Sequence, residues 1–245
     1  MKILLFSISF CLLCFKSTVF ANKPVVNVYA WGGEIPKALI HKFEAESGIH
    51  VNFSTYDNNE TLYAKIHASK PPVYDVIVPS AYFVERLKKQ GYLVRLDKTA
   101  LPNIKNLDNQ FSGGEYDPDN RYSVPFIWGA TGIFYNKKWV SSRPKSWADL
   151  WQKHFTKQLM LLDDPREVFG IALLGLGLNP SSDNPEDIKR AYEHLKSLRP
   201  NIKLFASESI QALLIDEDVH IGAVWNGDAF KAQFENPAVE FIYPK

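Results

Sequence analysis

The stretch Val124–Asn136, "VPFIWGATGIFYN", decides how this chain is built. It is a long extended run of β-branched and aromatic residues, broken by Gly129 and Gly132. A separate series of strand and helix patterns lies on each side of it. A strand that leaves one sheet and enters another has this appearance, and the expected architecture is two α/β lobes joined by a crossing strand. Upstream, "VVNVYAW" (Val25–Trp31) is a β-branched run, and Ile35, Leu39, Ile40 and Phe43 then recur at helical spacing before Gly48. "HVNFSTY" (His50–Tyr56) alternates with period two, and Asn58 and Asn59 can cap a helix through "ETLYAKIHA". "YDVIVPS" (Tyr74–Ser80) reads as a strand and "YFVERLKKQG" as a helix. This alternation predicts a parallel sheet covered on both faces. Downstream, strands are expected at "QLMLLDD", "IKLFAS", "VHIGAVW" and "VEFIYP". Helices are expected at "PREVFGIALLGLG", "PEDIKRAYEHLKSL", "SESIQALLI" and "DAFKAQFE".

The 245 residues, 46% hydrophobic, suffice for one sizeable core or two small ones. A net charge of +1, with no basic patch interleaved with aromatics, argues against nucleic acid. The first residues, "MKILLFSISFCLLCFKSTVFANK", read as an export signal over residues 1–21. Lys2 opens it, Ile3 to Phe15 is apolar, and Val19-Phe20-Ala21 places cleavage after Ala21. That apolar stretch is too short for a permanent span, so after cleavage the chain is expected to be soluble and not membrane-spanning. Cys11 and Cys14, the only cysteines, both lie inside it, and neither follows a small residue as a lipid-anchor site needs. The mature chain then has no cysteine for disulfides, and a bacterial periplasm is its simplest compartment.

Ligands in open α/β sheets sit beyond the carboxyl ends of the strands. Those ends collect Trp31 with Gly32-Gly33-Glu34, Ser80 with Tyr82, Asp163-Asp164, Ser207, and Trp225 through Asp228. Aromatics, carboxylates and hydroxyls without Lys, Arg or His suit a cation with apolar length, and Arg166 lies just beyond. Plainer readings stand beside this one. Asp164-Pro165-Arg166-Glu167 is also a helix start, Asp228 can cap the helix that follows it, Trp31 and Trp225 can be core, and Gly32-Gly33 can be a tight turn. No Gly-x-Ser-x-Gly elbow is present, and the six histidines show no metal-ligand spacing. "GLGLNPSS" lacks the ending of a phosphate loop. An enzyme, a metal and a cofactor are therefore not expected. A hydrolase using Asp164 or Glu167 with Asp228 is the remaining catalytic alternative.

At "STYDNNETLYAK", "YDVIVPSAYFVERL", "YSVPFIWGATGIFYN", "SWADLW", "LLDDPREVF" and "AVWNGDAF" the chain resembles the spermidine/putrescine-binding proteins of bacterial polyamine ABC importers. These belong to the periplasmic solute-binding superfamily. The resemblance runs in order from about Val25 to the end. It implies a two-lobed periplasmic solute-binding fold, with lobes over 22–128 and 129–245. It also implies a polyamine ligand, spermidine or putrescine, and delivery to an inner-membrane ABC permease. Carried over residue by residue, Trp31 and Trp225 are the aromatic walls, Ser80 and Tyr82 belong to a Pro-Ser-x-Tyr turn, Asp164 and Glu167 hold an amine, and Ser207 is a minor contact. Asp228 matches the putrescine-binding type. Two departures stand out. Gly33 and Glu34 occupy positions where the family has an acid and then a tyrosine, so Glu34 becomes the candidate replacement carboxylate. The chain also stops at Lys245, short of the family length, so a first lobe lacking its C-terminal segment, an incomplete second lobe and, as the alternative function, a non-binding remnant are expected.

Overall fold

A computed structural model describes residues 23–245; the export signal over 1–21, its cleavage point and both cysteines lie outside the described residues. Two sheets form. The first has three parallel strands in the order β2-β1-β3: β1 Val25–Trp31, β2 His50–Tyr56 and β3 Val76–Ile77. Helices α1 (Lys37–Ser47), α2 (Asn59–Ala68) and α3 (Ala81–Lys89) connect and flank it. Gly48 ends α1 in the left-handed conformation expected of a terminal glycine, at φ 70°. Of the two asparagines, Asn58 is the α2 cap and accepts from the Thr61 amide. Alternation along β1 and β2 puts Tyr29, Trp31 and Tyr56 on one face, packed with Leu62 and Leu87. On the other side, α1 buries no residue, and Leu39 and Phe43 remain exposed.

The second sheet has five strands in the order β6-β5-β7-β4-β8. Its strands are β4 Thr131–Asn136, β5 Leu159–Leu162, β6 Ile202–Ala206, β7 Ile221–Trp225 and β8 Val239–Ile242. β5 pairs in parallel with β6 and β7, whereas β4 lies antiparallel between β7 and β8. Both faces are covered, which explains the unbroken apolar run of β5. One face carries Ile133, Leu159, Leu161 and Ile221 under α4 (Pro165–Gly175) and α5 (Pro185–Leu198). The other carries Phe134, Met160, Leu162 and Val224 under α6 (Ile210–Ile215) and α7 (Asn226–Glu235).

Two expected strands are corrected. "VPFIWGATGIFYN" is a strand only from Thr131; Val124–Ala130 crosses outside any strand, and Ala130 bonds Asn226 through both its amide and its carbonyl. Pro125 offers no ladder donor, and Phe126, Ile127 and Trp128 face outward, with Trp128 stacked on Phe111 at 5.1 Å. Gly132 has a packing reason: a Cβ there would lie 2.4 Å from the Ile242 carbonyl oxygen of neighbouring β8. The strand expected over Tyr74–Ser80 shrinks to Val76–Ile77, because it pairs on one side only and Pro79 stops it.

Candidate ligand cleft

The carboxyl ends of β1 and β7 bring Trp31 and Trp225 together from different sheets. Their rings meet edge to face, with centroids 5.8 Å apart and planes at 75°. Trp31 is buried and backed by Tyr56 at 4.8 Å, and the Tyr56 hydroxyl donates to the Val78 carbonyl. Trp225 is half-buried and touches both cores. Core and wall, the two readings of these tryptophans, are therefore compatible.

Beside Trp31, Gly32-Gly33 turns the chain, Gly33 at φ 75°, and delivers Glu34 toward Asp228 in the first turn of α7. Burial first, and then the facing Asp228 carboxylate, push the Glu34 pKa up to about 7. Asp228 does not cap α7: its Oδ1 accepts from Gln211 Nε2 at 3.0 Å, and Trp225 stands at the cap position without a side-chain bond. Glu208 joins this end, its carboxylate close enough that a Cβ on Gly32 would sit 2.9 Å from Oε1.

A second cluster forms at the α3 and α4 N-termini. Asp164 is buried and does both things its sequence context offered. Its Oδ1 caps α4, accepting from the Arg166 and Glu167 amides at 2.8 and 3.2 Å, while Oδ2 accepts from the Tyr82 hydroxyl at 2.9 Å. Tyr82 comes from the first-sheet half, so this bond crosses the cleft, as does the longer Asn58 Nδ2–Asp163 Oδ2 contact at 3.4 Å. The Arg166 guanidinium lies 5.0 Å over the Tyr82 ring, adding a cation that the strand-end pattern left just outside. Glu167 is half-buried, and burial raises its pKa; a hydrogen bond with Thr131 opposes this, and the nearby Asp164 adds to it. Thr131 pairs with Trp225 across the β4–β7 ladder, which sets Glu167 near the tryptophan wall. Glu167 also lines a cavity of about 280 Å³ with Thr131, Trp147 and Tyr243, and none of Trp31, Glu34, Trp225 or Asp228 lines it.

The structure therefore pairs Trp31 with Trp225, Glu34 with Asp228 and Tyr82 with Asp164, each pair joining the two halves of the chain, and sets Glu167 beside Asp164. Ser80 is the α3 cap residue and is held by Asn59; the Ser207 hydroxyl is buried without a partner among the described residues. Sequence reasoning missed Asn59, Glu208 and Gln211. Glu208 adjoins Ser207 at a strand end and could have been included on that ground. Asn59 and Gln211 carried no local signal beyond helix position. No group of three or more metal-ligating side chains occurs among the described residues.

A cleft between two sheets, with aromatic walls and carboxylates contributed from both sides, is that of a solute-binding protein. The bacterial extracellular solute-binding protein family model matches residues 38–245, and the chain belongs to that family. It is 42% identical over 218 residues to the spermidine/putrescine-binding periplasmic protein of Salmonella typhimurium, covering 89% of this chain and 63% of that one. It is 34% identical over 229 residues to the putrescine-binding periplasmic protein PotF of Escherichia coli, covering 88% and 62%. A solved putative spermidine/putrescine ABC transporter from Listeria monocytogenes superposes with a TM-score of 0.85 at 34% identity, covering 90% of this chain and 68% of that one. The chain thus spans less than two thirds of the length of these curated relatives.

Proposed function

We propose that the chain binds an aliphatic polyamine, spermidine or putrescine, between lobes spanning 22–128 and 129–245. It does so in the periplasm after export, and hands the ligand to an inner-membrane ABC permease. The carrying observation is the Trp31–Trp225 contact, in a chain that also holds two carboxylate pairs, Glu34 with Asp228 and Asp164 with Glu167. Aromatic faces suit ammonium groups and methylenes, at about 0.5–2 kcal/mol per cation–π contact. Charge-assisted hydrogen bonds to carboxylates add about 1.5–3 kcal/mol each. Two separate carboxylate pairs beside aromatic faces suit a ligand with more than one cationic group. The names of the relatives support this ligand class. The present chain covers 63% of the Salmonella relative and 68% of the Listeria structure, and the remaining part of each is unrepresented.

The test is a calorimetric melt with and without putrescine, then spermidine. A ligand bound only by the folded chain adds about 2.7 kcal/mol of stability at a hundredfold excess over its dissociation constant. We expect both amines to raise the transition and Trp225→Ala to abolish most of the rise while still melting cooperatively. A cooperative transition that ignores both amines would overturn the binding role.

A further inference from the structure

Asn59 is fully buried, yet it is not the helix cap; Asn58 is. A buried amide must spend its donors and acceptor on specific partners, and here all are identifiable. The Ser80 backbone N–H donates to Oδ1 at 3.1 Å. That donor cannot be reversed, so it fixes which side of the amide carries the oxygen. The nitrogen is then on the other side, and it donates to Ser80 Oγ and to the Tyr82 hydroxyl oxygen, both at 3.0 Å. Tyr82 has one proton. Burial, and then the facing Asp164, raise its pKa, so the phenol keeps that proton. With Asn59 donating to its oxygen, the proton is directed to Asp164 Oδ2, 2.9 Å away. Asp164 belongs to the other lobe and also caps α4. The result is a one-way series of donors: Ser80 amide to Asn59, Asn59 to Tyr82, Tyr82 to a carboxylate across the cleft.

We propose that Asn59 is a positioning residue that aims the Tyr82 hydroxyl across the cleft at Asp164, and so sets how firmly the two lobes close. Asn59 bonds the Tyr82 hydroxyl, and that hydroxyl in turn meets Asp164, so Asn59 acts through Tyr82. This deepens the polyamine-binding role and rests on it only where ligand affinity is the readout. It also separates two jobs within one hydrogen-bonded group: Asp164 supplies the charge, and Asn59 supplies the direction from which that charge is met.

The test is a double-mutant cycle of Asn59→Ala and Tyr82→Phe, since a residue acting through another loses its effect when the other is removed. Putrescine affinity by calorimetry is the first readout. Asn59→Ala is expected to weaken binding about tenfold in the wild-type background, the size of one hydrogen bond. In the Tyr82→Phe background it should weaken binding less than about twofold, given the usual error of additivity. An equal loss in both backgrounds would overturn the proposal. If the wild-type chain binds no polyamine, the functional reading fails while this one remains decidable. The same cycle is then read without ligand, from Trp31 and Trp225 fluorescence and small-angle scattering as measures of closure. Asn59→Ala should open the lobes only while Tyr82 is present. If Asn59→Ala does not fold, Tyr82→Phe alone decides by NMR of the Asn59 side-chain amide. Its protons should shift and exchange faster when the hydroxyl is gone; an unchanged pair of signals would overturn the proposal.

Discussion

Ligand affinity should change across neutral pH, and Glu34 should be the reason. The sequence alone suggests that binding fades only where ordinary carboxylates protonate, below about pH 4–5. The structure moves this upward. Glu34 leaves the Gly33 turn and meets Asp228 at the start of α7, with Tyr56 beside it and the Glu208 carboxylate near Gly32. Its pKa rises from 4.5 to about 7. Taken at face value the difference is about 3 kcal/mol; solvent reaching this half-buried group reduces it to about 1–2 kcal/mol. The sign follows from linkage. The folded chain holds a proton that the unfolded chain releases, so the associated stability is fully present below pH 4.5 and is lost as pH rises through about 7. An ammonium group needs the ionised carboxylate and therefore competes with that proton.

Aliphatic amines stay charged throughout this range, so the ligand's own titration does not intervene. With a pKa near 7, about one Glu34 in ten is ionised at pH 6 and nine in ten at pH 8. Putrescine affinity should then fall about tenfold between pH 8 and pH 6, or about 1.4 kcal/mol. Titration calorimetry at these pH values, repeated in two buffers of different ionisation enthalpy, measures both the affinity and the protons released. Glu34→Gln should weaken binding at pH 8 and remove most of the slope. Equal affinity at pH 6 and pH 8, or a full slope retained by Glu34→Gln, would refute the reasoning.

Asp164 combines a cap with a charge, and two substitutions separate them. Asp164→Asn still accepts from the Arg166 and Glu167 amides and should keep the capping part of the stability, while the Tyr82 hydroxyl loses its acceptor and polyamine affinity drops about tenfold or more. Asp164→Ala should lose affinity and also about 1 kcal/mol of stability; equal midpoints for the two variants would count against the capping role. His194 supplies an acid-sensitive contact, stacked on Trp151 at 4.1 Å with its Nε2 buried and without a partner among the described residues. Burial lowers its pKa below 6.5, so it favours the folded state above that value and destabilises it as pH falls through that value. His194→Phe should therefore narrow the gap in melting temperature between pH 7 and pH 5, and an unchanged gap would exclude His194 as a source of acid sensitivity.

Backbone requirements made much of the fold legible. The "LMLL" of β5 is apolar throughout because helices cover both faces, and Pro165 after Asp164 marks a helix start wherever the chain goes next. Val124–Ala130 has strand-like residues but no strand, because composition cannot show that Phe126, Ile127 and Trp128 face outward with no ladder partner. The two Asn residues make the same point for the site. Asn58 and Asn59 are equivalent to any local rule, yet one caps α2 and the other holds Ser80 and Tyr82 from more than twenty residues away.

Asp228 adds the complementary case. Its helix-start position suggested a cap, but that role depends on whether its oxygen meets its own helix or a neighbour, and Gln211 of α6 takes it. The two ends of the cleft consequently differ in how occupied their carboxylates already are. Asp164 receives two amides and a hydroxyl, whereas Asp228 receives one side-chain amide and faces a second carboxylate in Glu34. An ammonium group would therefore find unmet negative charge mainly at the Glu34–Asp228 pair. Closure there brings like charges together unless a proton or a cation lies between them. Glu34→Gln should thus ease closure without ligand even as it weakens binding, a pairing that loss of a purely structural contact would not produce.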